Sequence, residues 1–148
     1  MATIQQLIDE LAQIAALQPD LETFLYADAA DINTQRDKQY PLLLAERTVA
    51  IENLNLKNRQ RVYTLKLHFY DQYDRVTLAS TGNELKQYDI ESIAEDFLQR
   101  FRERYRAAGK PWKLENEDAL NGQWAFNKHF DKLIELTYTL KVRSQGEC

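Results

Sequence analysis

Ile134-Glu135-Leu136-Thr137-Tyr138-Thr139-Leu140-Lys141-Val142 is the stretch whose reading decides the fold. Side chains of a strand point to opposite faces in turn, so this unbroken alternation predicts a long strand with one dry face and one wet face bearing Thr and charge. That describes a sheet packed on one side. The pattern recurs upstream from Val62 to Tyr70, with Tyr63, Leu65, Leu67 and Phe69 on one face and Val62, Thr64, Lys66, His68 and Tyr70 on the other. Between the two strands, Ile90, Ile93, Ala94, Phe97, Leu98, Phe101 and Tyr105 follow the helical period. They predict a helix over 89–107, capped by Asp89 and stopped at Gly109 and Pro111. Arg100, Arg102, Glu103, Arg104 and Arg106 lie on its outer face, where the cations complement the negative end of the helix dipole.

Further out, Thr3 and Gln6 have the form of a capping box. Ile4, Leu7, Ile8, Leu11, Ile14 and Ala15 then predict an amphipathic helix over 3–17 that Pro19 keeps from continuing. Shorter strands are expected at 22–27, 41–46, 48–54, 75–79, 112–117 and 124–130, with polar loops at 28–39, 71–74 and 80–83. The segment 53–61 is dense in Asn, Lys and Arg and reads as an exposed arm or hairpin. Residues 1–148 thus predict a single α+β domain. Its mainly antiparallel four- to six-stranded sheet has two amphipathic helices packed on one face, and the other face is left to solvent or a partner.

Composition agrees with one globular domain: 148 residues, 44% hydrophobic and 28% charged, a length that buries roughly two thirds of the unfolded chain's surface. The net charge of −4 argues against a domain that wraps nucleic acid by neutralising phosphates. It suits a soluble protein, or one lining a passage where DNA slides without sticking. Cys148 is the only cysteine, so no intrachain disulfide forms and a reducing cytosol suffices. Asp9, Glu10 and Gln13 interrupt any leader-like run, and no stretch approaches the roughly 18 apolar residues that cross a bilayer. A cytoplasmic protein with no membrane partner is expected.

No constellation of residues spells out a reaction. The two histidines, His68 and His129, lack cysteine neighbours, and a metal site would need carboxylates such as Asp71 or Asp131 brought to them by the fold. Ser80, Ser92 and Ser144 have no nucleophile-elbow motif, and the four glycines are not clustered into a phosphate-binding loop. The expectation is a non-enzyme with no cofactor and no metal. Lys57, Arg59 and Arg61, together with Arg100 to Arg106, offer contacts to phosphates, and Tyr63, Phe69, Trp124 and Phe126 offer a stacking platform for single strands. Helix-terminal arginines and core aromatics explain the same residues more simply.

Several segments together carry a resemblance. They are the opening helix 4–17, the segment 24–31 followed by the run Arg36-Asp37-Lys38-Gln39-Tyr40-Pro41-Leu42, the strand 61–70, the helix 90–105, and the Phe126–Phe130-Asp131 entry to the final ladder and Cys148. Over nearly its full length the chain resembles the small tail-terminator, tail-completion and neck-ring proteins of tailed bacteriophages, particularly those of Bacteroidetes phages and prophages. The resemblance implies a structural virion protein without catalysis. It also implies assembly into a ring of six or twelve copies between capsid neck and tail, other neck or tail proteins as partners, and a stay in the host cytoplasm before assembly. It singles out no functional residue. In that setting the 53–61 excursion becomes an arm toward a neighbouring subunit, with Lys57, Arg59 and Arg61 as its candidate interaction residues. Two rival readings are a small adaptor or ligand-binding domain of a bacterial cell, which would show a concave apolar pocket, and a single-stranded nucleic-acid binder.

Overall fold

The structure, a computed structural model, describes residues 3–28, 39–72, 81–107, 109–126 and 133–144. In chain order the elements are α1 (Ile4–Leu17), β1 (Thr23–Ala27), β2 (Leu42–Glu46), β3 (Ala50–Asn55), β4 (Gln60–Gln72), α2 (Thr81–Tyr105), β5 (Trp112–Leu114), β6 (Gly122–Phe126) and β7 (Leu133–Ser144). The two alternating ladders pair with each other at the centre. β4 and β7 run antiparallel in unbroken register from Val62 opposite Arg143 to Gln72 opposite Leu133. A slip of one residue would turn every apolar side chain of this pair to the wrong face, so the pattern itself fixes the register.

Each end of the central pair has its own neighbours. At one end β2 joins β4 and β6 joins β7; at the other, β3 joins β4 and β5 joins β7. β1 completes the edge beyond β2. The sheet therefore has seven strands rather than four to six, because two pairs of short strands share the flanks of one long pair. It is also mixed. Five pairings are antiparallel, but β1 and β2 are parallel, a pairing that needs a long crossover; the link from Ala27 to Leu42 is long enough.

Both helices lie on one face. Leu7, Ile8, Leu11, Ile14 and Ala15 of α1 and the seven periodic residues of α2 join Leu65, Leu67, Phe69, Leu136, Leu140 and Val142 in the main core. Phe97 meets Phe69 edge-on, with ring centroids 5.8 Å apart. At the start of α1, the Gln6 N–H donates to the Thr3 hydroxyl while the Thr3 N–H donates to the Gln6 side chain, closing the expected capping box. α2 begins at Thr81, well before Asp89. Glu84 to Gln87 are good helix formers but mostly polar, so they extend the helix without extending its apolar period. β5 ends at Leu114, where residues 115–118 turn, and the strand expected at 75–79 lies outside the described residues.

The second face departs from the wet surface that the alternation predicts. Toward one end it holds its own cluster of Ala27, Leu42, Leu44, Tyr70 and Leu133, and Glu135 there is only 2% exposed. Lys66 and Lys141, toward the other end of the same face, are exposed. Alternation assigns a residue to a face but says nothing of what covers that face.

One close approach shapes the helix-side face. Gly122 stands opposite Tyr138, and a Cβ added to it would sit 2.8 Å from the tyrosine Cε1 and 2.9 Å from Cζ. Gly122→Ala is expected to force the ring aside and cost about 1–3 kcal/mol. A lowered urea midpoint at unchanged slope would show it.

Candidate functional site

The β3–β4 hairpin carries the residues that the sequence nominates for interaction. Its turn is 56–59, closed where the Lys57 N–H donates to Asn55 Oδ1 at 3.0 Å and the Gln60 N–H to Asn58 Oδ1 at 3.1 Å. Asn53 and Arg59 adopt the left-handed region, with φ of 53° and 57°, and the register shifts between Glu52 and Asn55, which twists the ribbon. Lys57 and Arg59 stand exposed on the turn. Arg61 sits apart from them at the base: its Nε donates to the Tyr63 hydroxyl at 2.8 Å and its guanidinium lies 5.5 Å from the Tyr63 ring centroid. The turn thus brings together two of the three nominated cations.

Sequence reasoning passed over the apolar residues between them. Ile51 is 59% exposed, Leu54 53% and Leu56 81%, and every residue of β3 except the half-buried Glu52 is exposed. Three large apolar side chains on one edge hairpin are unusual for a surface that meets only water. The signal was present in Leu54-Asn55-Leu56, but the surrounding Asn and Lys gave the segment a loop-like composition.

A second unforeseen feature is a buried polar cluster on the helix-free face. His68 Nδ1 lies 3.0 Å from the Thr137 hydroxyl and 3.6 Å from Glu135, while its Nε2 lies 3.4 Å from Glu46. The Thr137 hydroxyl in turn donates to Glu135 at 3.0 Å. The Tyr70 ring stacks beside the imidazole at 5.9 Å, and its hydroxyl lies against the Glu135 carboxylate. The two carboxylates approach opposite edges of the imidazole, so they bracket it instead of converging on one point. Among the described residues, no group of three His, Cys, Asp or Glu is placed to hold a metal ion. His129 and Cys148 lie outside the described residues.

Burial, and then the Glu135 charge, hold the Tyr70 phenol well above its ordinary value of 10.0. Burial and the 2.5 Å hydrogen bond to Glu10 do the same for Tyr105. A phenol kept neutral in the folded state ionises on unfolding above about pH 10, so its contribution to stability is complete below that pH and lost as pH rises. Tyr70→Phe is expected to reduce the loss of stability between about pH 9 and 11, read from urea midpoints across that range.

The third feature is a cleft of about 500 Å³ on the flank opposite the hairpin, between α2 and the segment from Leu114 to Leu120. Leu98, Leu114, Leu120 and Tyr138 form its apolar part, and Glu95, Asp96 and Glu117 add acidic groups. Arg102 Nε pairs with Glu117 at 2.8 Å, whereas Glu95 and Asp96 are exposed and have no ion pair among the described residues. The Tyr138 phenol is pushed up by burial first and then by Glu95 and Glu91, which places an acidic field over the tyrosine.

Of the residues nominated for nucleic acid, several are engaged elsewhere in the structure. Tyr63 and Phe69 are buried beneath the helices, unable to stack on a base. Three of the helix cations are tied to acids: Arg102 to Glu117, Arg104 to Glu10 at 3.3 Å, and Arg106 to Glu103 at 3.5 Å. Among the described residues, no helix is long and apolar enough to cross a membrane. Comparison with protein-family models and with curated proteins returns no match to this chain.

Proposed function

We propose that this chain is a non-catalytic structural subunit that works by joining copies of itself, and that its setting is the ring at the neck or tail of a bacteriophage that its sequence resembles. The observation that carries the reading is the β3–β4 hairpin, an edge ribbon of the sheet on which Ile51, Leu54 and Leu56 are exposed. Apolar surface held on an edge element gains free energy only when something covers it. The outer strands of the described sheet, β1 and β3 on the β4 side, β5 and β6 on the β7 side, also present backbone groups to a neighbour. The net charge of −4 suits a lumen through which DNA passes without adhering.

Native mass spectrometry and sedimentation over a concentration series test the self-association, and electron microscopy tests its closure into rings. Closed rings of one size, with six or twelve copies, are expected. A chain that stays monomeric at every concentration, alone and with neck or tail proteins of its phage, overturns the reading.

A further inference from the structure

The hairpin and the cleft answer each other. The tip offers a protruding leucine beside two cations, Leu56 next to Lys57 and Arg59; the cleft offers an apolar floor beside Glu95 and Asp96, two exposed acids with no ion pair among the described residues. Topology keeps them from meeting within one chain. In the end of the sheet ordered β3-β4-β7-β5, the hairpin leaves the outer side of β4, while the cleft lies beyond the outer side of β7. Three strand spacings, roughly 14 Å, separate β3 from β5. Complementary surfaces on opposite flanks of one subunit define a heterologous contact, the kind that closes into a ring when the rotation allows.

We infer that the hairpin tip of one copy docks in the α2/β5–β6 cleft of the next, with Leu56 among Leu98, Leu114, Leu120 and Tyr138, and with Lys57 and Arg59 facing Glu95 and Asp96. The inference rests on the self-assembly reading and names the two surfaces that would serve it. Arg102 already holds Glu117 at 2.8 Å, so the two α2 carboxylates are the ones available to incoming cations. Gly122 contributes indirectly, since its lack of a side chain lets the Tyr138 ring lie where it lines the cleft.

The test compares four full-length chains by sedimentation velocity and native mass spectrometry: the wild type, Lys57→Glu/Arg59→Glu, Glu95→Lys/Asp96→Lys, and the chain carrying all four changes. Every altered residue is exposed, so circular dichroism and melting should match the wild type. Each reversal alone is expected to weaken association at least about tenfold by setting like charges together, and the four-fold chain is expected to recover most of it because the charges are exchanged. Association unchanged in both reversals, or lost in both without recovery in the combined chain, overturns this pairing while leaving self-assembly standing. A wild type that never associates overturns both.

Discussion

Glu135→Ala is expected to lower the free energy of unfolding by about 3–5 kcal/mol, the usual cost of removing one member of a buried charged network. Glu135 is 2% exposed and His68 4%, and the glutamate accepts from Thr137 and faces both the imidazole and the Tyr70 phenol. Deleting it strips the buried His68 and Tyr70 and the half-buried Thr137 of a shared partner, and the sheet face gives water little room to replace it. Removing both halves should be far milder. His68→Leu/Glu135→Leu replaces the pair with apolar groups of similar size, and such replacements are often neutral or stabilising. Urea unfolding of the two single leucine variants and the double variant forms a cycle whose coupling energy measures the pair. A loss below about 1 kcal/mol for Glu135→Ala would show that the carboxylate is hydrated after all.

Phe97→Ala should cost a comparable 3–5 kcal/mol by a different route, through lost burial and the cavity left behind. Phe97 is fully buried at the centre of the main core, edge-on to Phe69, in the layer where α2 meets the β4–β7 pair. Close-packed surroundings collapse only partly onto such a void. Phe97→Leu, which keeps most of the volume, should lose much less. Equal losses for the two variants would point to edge-to-face geometry, not volume, as the main contribution of the ring.

The contrast between these two sites tracks what the sequence makes legible. The apolar sets of α1 and α2 are buried as their periodicity predicts, except for the half-buried Ile4 in the first turn of α1, and the β4–β7 registry follows from two matching alternations. Glu135 was assigned to the correct face and the wrong environment, because alternation carries no information about a cover. Pairing direction was equally silent: nothing in Thr23–Ala27 or Leu42–Glu46 distinguishes a parallel neighbour from an antiparallel one. In the hairpin, the reading of 53–61 as an exposed segment already implies that Leu56 meets solvent, but its Asn- and Lys-rich surroundings draw attention to Lys57 and Arg59 instead. The cleft gathers residues from α2, β5, the following turn and β7, a conjunction that no local pattern encodes.

The place of β7 has a consequence for biosynthesis. It pairs with β4, β5 and β6, yet among the nine described elements it is made after all the others. Until the ribosome has passed Ser144, the apolar side of β4 waits beneath its helices with an open edge, so the domain forms late and depends on contacts distant in sequence. Exposed apolar surface and an unpaired strand edge make such a nascent chain prone to aggregate, and slower translation upstream of β7 would lengthen that exposure.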